Sequence, residues 1–552
     1  MTRRTGKQWE DNDAMSTQEN YHASLAAMLA DHLTHRPNAT AFIEEGRAVS
    51  YREFDLLCRQ SAAWAAAQGI QPGDRVAVWL VNRVEWLALW FALARAGAAL
   101  VAVNTRYRAA ELEYILQRSG ARMLVLQLNF KKIDFPAVLQ GVDAAAVPAL
   151  ERVAVFGAGL DMPQTILGRP TATFDPQVCA PVGCVDHSDP DAACIMFTTS
   201  GTTKGPKLVV HSQRTLALHS QRIASAYGFD QPGAALLGAL PFCGVFGLNA
   251  VMGAFAAGAP VCVMETFDGA RAAGLMCDHQ LTHAFGSDEM YDRIFDHAPG
   301  HPPFPSARVF GFGAFHRSGE DFAAPLRHRG VPLAGLYGSS EVQALFSLQR
   351  EDLPLAQVIE GGGSPASGPA AQVRVRDVES GVLLPPGTSG EIEIRADTNF
   401  LGYYNDPVAT AEAVLPDGFF RTGDIGRLRE DGSFVYETRR GDAMRLAGFL
   451  VSPAEIEDVI KRLPEVSDAQ VVAVEMNGQS RCVAFVIAAP GATPDPAAVI
   501  AWAGASMAPF KVPAAVWQVT EFPVTQGPNG VKIQRGKLRE MALAALAQAQ
   551  PN

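Results

Sequence analysis

A stretch rich in hydroxyl groups, glycines and lysines offers the clearest chemistry in the sequence. Residues 197–207 read FTTSGTTKGPK, and an apolar run typical of a buried strand, 193–197, leads straight into them. Backbone N–H groups, hydroxyls and an ammonium group together suit a polyphosphate, and glycine permits close approach of the backbone. The spacing does not fit the Walker A pattern. A plain surface turn is the alternative, but the length, the preceding strand and the two lysines favour a phosphate-binding loop.

Two further segments carry single groups that could serve the same ligand. Residues 337–341 read YGSSE, and the carboxylate of Glu341 can bind Mg²⁺ directly or through water. Residues 420–424 read FRTGD, and Asp424 can accept both hydroxyls of a ribose. Each segment alone also fits an ordinary turn, with Glu341 solvated and Asp424 capping its own backbone.

Together these segments resemble the signatures of the acyl-adenylate-forming superfamily, which includes acyl-CoA synthetases, luciferases and stand-alone adenylation domains of peptide synthetases. Residues 199–207 are similar to TSGTTGxPK, with Lys204 where the family usually has glycine. Residues 337–341 are similar to YGxTE, and residues 420–424 to [WYF]xTGD. The resemblance extends through most of the chain. It implies a large N-terminal domain of α/β subdomains plus a small β-rich subdomain, followed by a small mobile α+β domain.

The resemblance also implies a role for each matching residue. Binding of ATP would involve Thr199, Ser200, Gly201, Thr202, Thr203, Lys207, Gly313, Ala314, Tyr337, Ser340, Asp424 and Arg439. Tyr337 would stack on the adenine, and Glu341 would hold Mg²⁺ beside the phosphates. Gly313 and Ala314 belong to a looser match, GFGAF at 311–315, for which a buried strand with glycines for packing is an equal alternative.

Two segments near the C terminus resemble the moving parts of the family. Arg439 and Asp442 align with the GRxKD hinge, in which Asp442 would be the pivot between domains. Residues 530–535, GVKIQR, resemble the terminal GKIxR, so the catalytic lysine maps onto Lys532, with Val531 as one extra residue. Lys532 would hold the carboxylate and α-phosphate oxygens while charge builds in the transition state.

The acyl group is expected at residues 240–248, LPFCGVFGL, which resemble LPLFHxxGL. The residues predicted to line this pocket are Phe242, Gly244, Phe246 and Gly338. Gly244 replaces a histidine or aromatic residue, which favours a bulky or extended hydrophobic acid over a small aromatic one, unless Phe246 fills the gap. Residues 286–289, GSDE, place acidic groups near the pocket mouth, with plain surface exposure as the alternative.

The elements around these segments predict the fold that positions them. Helical spacing occurs at 24–35, 50–67, 85–97 and 109–119, and strand-like runs at 75–80, 100–103 and 123–127. This alternation predicts an α/β sheet with helices on its faces. Strands bounded by Gly and Pro turns, at 373–376, 390–395 and 433–437, predict the β-rich subdomain. The last stretch, roughly 110 residues, is long enough for a separate domain.

We therefore expect a flexible tail over 1–20, a large adenylate-forming domain over 21–440 and a mobile domain over 441–552. The 552 residues are 48% hydrophobic and 19% charged, which is typical of a globular protein. Neither a membrane-spanning run nor a secretory signal is found, and the eight cysteines lack zinc spacing, so we predict a cytoplasmic protein. A net charge of -11 argues against general nucleic-acid binding.

The predicted activity is that of an AMP-forming acid–thiol ligase. ATP would activate a small-molecule carboxylic acid as its adenylate with Mg²⁺ present, and coenzyme A would accept the acyl group. One alternative is another acceptor, an amine or a carrier protein, although the roughly twenty residues after Lys532 are too few for a carrier domain. A second alternative is a catalytically silent nucleotide-binding homologue. The presence of Lys532, Asp424 and Glu341 argues against this alternative. The family also suggests a homodimer.

Overall fold

The computed structural model describes residues 21–130, 132–157, 162–181, 186–199, 206–313, 319–446, 449–476, 479–507, 509–527 and 530–549. Within these residues, two large sheets organise the chain up to about residue 440, and three small sheets lie after it. None of the described helices is both long and apolar enough to cross a membrane.

The first third of the chain alternates strands and helices. Its helices are α1 (Leu25–His35), α2 (Tyr51–Ala67), α3 (Val84–Arg95), α4 (Ala109–Ser119) and α5 (Phe135–Gln140). Its strands are β1 (Thr40–Glu44), β2 (Arg47–Ser50), β3 (Arg75–Trp79), β4 (Ala99–Ala102), β5 (Met123–Leu126), β6 (Arg152–Phe156), β7 (Thr165–Ile166), β8 (Arg169–Phe174), β9 (Ala193–Thr198) and β10 (Leu208–Ser212). The four helices and three strands predicted here are confirmed to within about two residues.

The middle of the chain continues the alternation and then becomes strand-rich. Its helices are α6 (Gln213–Ala226), α7 (Val245–Ala257), α8 (Gly269–Asp278), α9 (Asp288–Phe295), α10 (Gly319–His328), α11 (Leu355–Val358) and α12 (Pro407–Ala413). Its strands are β11 (Leu236–Gly238), β12 (Val261–Val263), β13 (His283–Ser287), β14 (Val309–Gly313), β15 (Leu333–Ser339), β16 (Gln343–Leu348), β17 (Gly361–Pro365), β18 (Gln372–Arg376), β19 (Gly390–Arg395), β20 (Gly402–Tyr403), β21 (Phe420–Leu428) and β22 (Phe434–Arg439).

The last part of the chain forms the small sheets. Its helices are α13 (Pro453–Lys461), α14 (Pro496–Ser506) and α15 (Arg535–Ala549). Its strands are β23 (Met444–Leu446), β24 (Phe449–Val451), β25 (Val466–Met476), β26 (Gln479–Ala488), β27 (Val516–Gln518), β28 (Val524–Gly527) and β29 (Gly530–Ile533). Strands β25, β26 and β27 form one sheet, and the apolar cores around it contain only residues from Met444 onward.

The nine-stranded sheet has the order β20-β10-β9-β4-β3-β5-β6-β8-β7, and its strands from β9 to β8 are parallel. The thirteen-stranded sheet has the order β18-β19-β21-β22-β17-β16-β15-β14-β13-β11-β12-β1-β2. Its run from β15 to β1 is parallel, whereas the run from β15 to β18 is antiparallel and forms the predicted β-rich part.

Local signals explain where the first helices begin. Ser24 accepts the N–H of Ala27 at the start of α1, and Ser50 forms a capping box with Glu53 at the start of α2. Both α3 and α7 are buried on nearly every side, because each packs in the apolar core that contains strands from both large sheets. The two sheets therefore share one apolar interior.

Candidate active site

The predicted YGSSE segment lies where β15 turns into β16. Gly338 has no room for a side chain, since a Cβ there would come within 2.6 Å of the Cα of Ala344. Gly338 itself is exposed to solvent. The hydroxyl oxygen of Ser339 accepts the N–H groups of Glu341 and Val342 at 3.2 and 3.4 Å. These contacts make the turn tight and present Glu341 at the carboxyl end of a central parallel strand, where ligands bind in open α/β sheets.

A buried amide network holds this turn from below. Gln343 is fully buried with φ near 67°, and its amide nitrogen donates to the carbonyls of Thr215 and Thr398 at 2.8 and 3.0 Å. Asn249 on α7 donates to the amide oxygen of Gln343 at 3.0 Å and accepts the N–H of Ala344 at 2.9 Å. Every one of these polar groups is paired inside the core, so the turn is fixed by interactions that are costly to break.

Two buried histidines secure the same segment. The Nε2 atom of His211 lies 2.7 Å from the carbonyl of Ser340, and that of His219 lies 2.7 Å from the carbonyl of Ala344. Burial lowers the pKa of His211 to about 4 and that of His219 to about 3. Both rings are therefore neutral near pH 7 and carry the proton on Nε2, from which they donate to the two carbonyls.

The carboxylate of Glu341 is oriented by a residue that sequence reasoning missed. The hydroxyl of Tyr403 donates to Oε1 of Glu341 at 2.9 Å, and the ammonium of Lys207 lies 4.3 Å from the centroid of the Tyr403 ring. Burial and the nearby Glu341 charge raise the pKa of Tyr403, so it stays a hydrogen-bond donor. An aromatic pair, Tyr403-Tyr404, was the one visible signal, and it does not indicate a partner for a carboxylate.

The base of the predicted phosphate loop is closed by two hydrogen bonds between Thr199 and Lys207. The N–H of Thr199 donates to the carbonyl of Lys207, and the N–H of Lys207 donates to the hydroxyl oxygen of Thr199, both at 3.0 Å. The predicted residues between them, Ser200, Gly201, Thr202 and Thr203, lie outside the described residues. The two ends of the loop thus meet beside Tyr403 and Glu341.

The predicted ribose carboxylate is buried and already paired. Tyr337 donates its hydroxyl to Oδ2 of Asp424 at 2.6 Å, and the guanidinium of Arg439 lies 3.0 Å from Oδ1. Asp424 and Arg439 face each other across the β21–β22 pair. The Tyr337 ring packs against Phe434 and Tyr436, with centroids 5.3 and 5.9 Å apart. The structure therefore brings Tyr337, Asp424 and Arg439 into direct contact, and stacking on adenine stays a prediction.

The residues predicted to line the acyl pocket divide into two groups. Phe242 and Phe246 are core side chains that pack against Trp86 and Phe285, each with ring centroids 6.1 Å apart. Gly244 is buried at the residue before α7. Gly338 alone among the four has an exposed face.

The GSDE segment begins α9 beside the predicted adenine strand. Gly313 ends β14 and pairs with Ser287, while Ala314 lies outside the described residues. Asp288 is only 3% exposed, whereas its neighbour Glu289 is exposed. The alternative of plain surface exposure therefore holds for Glu289 and is wrong for Asp288, which is buried.

The predicted hinge and the predicted catalytic lysine lie near one buried ion pair. Lys532 stands opposite Thr525 in the two-stranded β28–β29 ribbon, and its side chain lies outside the described part. Arg535 begins α15, donates to Oε1 of Glu457 at 2.7 Å and lies 3.8 Å from Oδ2 of Asp442. Burial raises the pKa of Glu457, an effect that Arg535 opposes. Glu457 in α13 is thus a buried partner of Arg535.

The residues present fit a magnesium ion that ATP itself helps to hold. Among the described residues, no group of three or more His, Cys, Asp or Glu side chains forms a closed metal site. Mg²⁺ usually binds through one or two carboxylates together with phosphates and water. Glu341, oriented by Tyr403 and close to the phosphate loop, offers one such carboxylate.

Comparison with known proteins agrees with this arrangement. The family model of AMP-binding enzymes matches residues 29–404, and that of the AMP-binding enzyme C-terminal domain matches residues 455–527. A 3-[(3aS,4S,7aS)-7a-methyl-1,5-dioxo-octahydro-1H-inden-4-yl]propanoyl:CoA ligase of Rhodococcus jostii is 32% identical, over 91% of this chain and 95% of its own length.

Two further similarities extend over nearly the whole chain. The fatty acid–[acyl-carrier-protein] ligase ScoC of Streptomyces coeruleorubidus is 30% identical over 94% of this chain and 96% of its own length. The crystal structure of ATP-bound MatB from Rhodopseudomonas palustris has a TM-score of 0.79 and 27% identity over 94% of this chain and 98% of its own. The predicted fold class is thus confirmed, and the chain belongs to the AMP-binding enzyme family, within the acyl-adenylate-forming superfamily that its motifs predicted.

Proposed function

We propose that the protein is an AMP-forming acid–thiol ligase that converts a carboxylic acid and coenzyme A into an acyl-CoA. One observation carries this proposal: three motif segments far apart in the sequence meet at one turn. Lys207 from the phosphate loop contacts Tyr403, which orients Glu341, and Asp424 binds Tyr337 at the other end of the same five-residue segment. Such convergence suits one ligand that carries phosphates at one end and a ribose at the other.

The first half-reaction would form the acyl-adenylate. A carboxylate oxygen of the acid attacks the α-phosphorus of ATP, the bond to the β-phosphate oxygen breaks, and pyrophosphate leaves. The residues proposed to hold the phosphates are Thr199, Ser200, Gly201, Thr202, Thr203, Lys207 and Ser340. Glu341 would bind Mg²⁺, which neutralises phosphate charge when bound. Lys532 would stabilise the negative charge on the reacting oxygens.

Nucleoside recognition would use the buried cluster around Asp424. Ribose hydroxyls would join or replace Arg439 as partners of the Asp424 carboxylate, since Arg439 reaches it from a half-exposed position. Tyr337, Gly313 and Ala314 are proposed to border the adenine. The hydrogen bond from Tyr337 to Asp424 would keep the carboxylate in place whether or not a ribose is bound.

The second half-reaction would transfer the acyl group. The thiol of coenzyme A loses its proton and attacks the carbonyl carbon of the adenylate, and the bond to the AMP oxygen breaks, so that AMP leaves. Asp442 is the proposed pivot that moves residues 441–552 and carries Lys532 away before this step. Its position between Arg439 and Arg535 supports a role at the junction.

The proposed acid is bulky and hydrophobic. Gly244 carries no side chain at the start of α7, between the two buried aromatic residues Phe242 and Phe246. The Rhodococcus relative is named for a bicyclic propanoyl substrate, which is of the same class. We therefore propose polycyclic or long-chain alkanoic acids as substrates before small aromatic acids.

A carrier protein is the second candidate acceptor. The similarity that favours it is ScoC, which is named as a ligase that uses an acyl-carrier protein. Both acceptors present a thiol at the end of a flexible arm, so the chemistry of the second half-reaction would be the same.

The decisive experiment measures products from a panel of acids. Purified enzyme, Mg-ATP and one acid each (polycyclic propanoic, long-chain, branched or hydroxybenzoic) are incubated with coenzyme A, with a phosphopantetheinylated carrier protein, or with neither. We expect pyrophosphate release with one acid class, and acyl-CoA plus AMP in the first mixture. Acyl-carrier product alone would select the second candidate. Pyrophosphate release with none of the acids would contradict the proposal and favour a nucleotide-binding homologue.

A further inference from the structure

The carboxylate of Asp288 is buried without a partner close to the candidate active site. Only 3% of the residue is exposed, and neither carboxylate oxygen accepts a hydrogen bond from any described residue. Burying a carboxylate in this way is costly, because neither water nor a protein donor compensates for its charge. A buried polar group that the protein itself leaves unpaired therefore needs an explanation, and a ligand is one.

The start of α9 does not supply another explanation. The hydroxyl oxygen of Ser287 accepts the N–H of Met290 at 3.3 Å, so the helix is capped without Asp288. The first-turn position lets the helix dipole favour a negative charge at Asp288, but this gain is smaller than the cost of burying the charge. A dipole also fills no hydrogen-bond position, so both carboxylate oxygens remain free for a donor.

Asp288 lies on the sheet edge that carries the YGSSE turn. Strands β13, β14 and β15 are neighbours and parallel, so their carboxyl ends lie along one edge. Asp288 directly follows β13, and the turn at 337–341 lies at the end of β15. Two steps between neighbouring strands amount to roughly 10 Å. An acid whose carboxylate reacts beside the turn could thus reach Asp288 with a group that is several bonds away.

The residues around Asp288 in the chain pack in apolar surroundings. Phe285 on β13 packs against Phe246 and Tyr227, with ring centroids 6.1 and 5.6 Å apart. Met290 packs against both large apolar cores. Phe246 is one of the residues predicted to line the acyl pocket. A hydrophobic acid in this region would meet one carboxylate in apolar surroundings, where a hydrogen bond is stronger than in water.

We propose that Asp288 selects acids that carry a hydrogen-bond donor, a hydroxyl or an ammonium group, on their hydrophobic body. This inference rests on the proposed function and narrows its substrate class. An ionised carboxylate only accepts hydrogen bonds, so a hydroxyl or an ammonium group fits it and a ketone oxygen does not. Asp288 binds the acid at a distance from the reacting atoms, and it therefore determines specificity without taking part in bond formation.

Selectivity among matched acids tests the proposal. Straight-chain acids of graded length are compared as parent, hydroxy, amino and keto forms by pyrophosphate release. At the length that reaches Asp288, we expect kcat/KM of the hydroxy or the amino acid to exceed that of the parent about tenfold. Asp288→Asn should lower this ratio about tenfold for a hydroxyl and about 100-fold for an ammonium group, and should raise kcat/KM of the parent. Glu289→Gln, at the exposed neighbour, is the matched control and should leave the ratio unchanged.

The same series identifies the donor. A preference for the amino acids alone identifies an ammonium group, and a preference for the hydroxy acids alone identifies a hydroxyl. Equal use of parent and donor-bearing acids, or a preference for the keto acids, would overturn the proposal. So would a ratio that Asp288→Asn leaves as it is in the wild-type protein.

Thermal stability provides a readout that needs no turnover. Because Asp288→Asn removes a buried unpaired charge, the Tm of the unliganded full-length protein should rise by about 2 °C, whereas Glu289→Gln should not change it. With a nonhydrolysable ATP analogue present, the preferred acid should raise the wild-type Tm more than its parent does, and Asp288→Asn should remove this difference. If no acid releases pyrophosphate, the proposed function fails, and the Tm differences still decide whether Asp288 binds the donor. Equal Tm shifts for parent and donor-bearing acids in the wild-type protein would overturn the inference.

Discussion

The turn from β15 to β16 and the β28–β29 ribbon carry groups proposed for the same reaction, yet they are built very differently. The turn lies in the middle of a thirteen-stranded sheet, and Gln343, Asn249 and two neutral histidines bind its backbone from the core. The ribbon has two strands that pair only with each other, and Val524 at its start is largely exposed. An isolated two-stranded ribbon is only marginally stable in water.

This contrast separates a stationary part of the site from one that is suited to move. Glu341 cannot shift without breaking buried hydrogen bonds. Lys532 instead lies in a ribbon that is joined to the C-terminal part of the chain through the apolar packing of Ile533 and through the contacts of Arg535 with Glu457 and Asp442. A ligase with two half-reactions needs both kinds of part, since ATP must stay in place while the first catalytic group makes room for the thiol.

The largest expected effect concerns the ribbon. Lys532→Ala should lower acid-dependent ATP–pyrophosphate exchange about 100- to 1000-fold, because it removes charge stabilisation in the transition state. It should spare thioester formation from supplied acyl-adenylate. Lys537→Ala, at an exposed position of α15, is the matched control. Equal loss of both half-reactions would contradict a lysine that acts in the first step alone.

Asn249→Ala should weaken the stationary part. It leaves the amide oxygen of Gln343 and the N–H of Ala344 buried without a partner, so the free energy of unfolding of the large domain should fall by about 3 kcal/mol. Urea denaturation followed by tryptophan fluorescence measures this. The exposed Asn38→Ala should change it by less than about 0.5 kcal/mol. If Asn249→Ala lowers the free energy of unfolding by as little as Asn38→Ala does, the buried amide network does not fix the turn.

Glu341→Gln should mainly affect ATP use. The substitution keeps an acceptor for Tyr403 but removes the charge, so we expect kcat/KM for ATP to fall about 100-fold with a higher Mg²⁺ requirement. Tyr403→Phe keeps the carboxylate and loses its orienting hydroxyl, and should cost less, about tenfold. Steady-state adenylation at varied Mg²⁺ tests both. An unaltered Mg²⁺ dependence in Glu341→Gln would remove Glu341 from the metal site.

Arg535→Gln should destabilise the C-terminal domain in a pH-dependent way. Burial raises the pKa of Glu457 above its unfolded value, so its protonated form favours folding, and this stability is lost as pH rises through the folded pKa. Without Arg535, the ionised Glu457 should destabilise the domain more strongly. The free energy of unfolding should then fall by about 2 kcal/mol near pH 8 and by less near pH 5. Thermal melting at both pH values measures it, and adding Glu457→Gln should abolish the difference.

Asp442→Pro should give the smallest effect and the most selective one. Proline removes the N–H that donates to the carbonyl of Arg439 and stiffens the proposed pivot. We expect thioester formation from supplied adenylate to fall about tenfold while pyrophosphate exchange is nearly retained. Measuring the two half-reactions separately tests this, and a greater loss of exchange would place the pivot elsewhere.

Much of the fold could be predicted because it depends on local signals. Helical spacing and strand-like runs predicted α1 to α4 and β3 to β5 to within about two residues, and the motifs predicted the family. The sequence could not show that Asp288 is buried while Glu289 is exposed, or that Phe242 packs on Trp86. Burial at such positions depends on which distant elements cover them.

The amino-acid sequence by itself therefore determined the chemistry available to this protein. It contains a phosphate loop, the carboxylates of Glu341 and Asp424, the guanidinium of Arg439, and Lys532 near the C terminus. The tertiary structure alone decided the partners. Tyr403 orients Glu341 because β20 pairs beside β10, and Arg535 meets Glu457 because α15 begins against α13. Each of these contacts joins residues distant in the chain, and no local pattern encodes them.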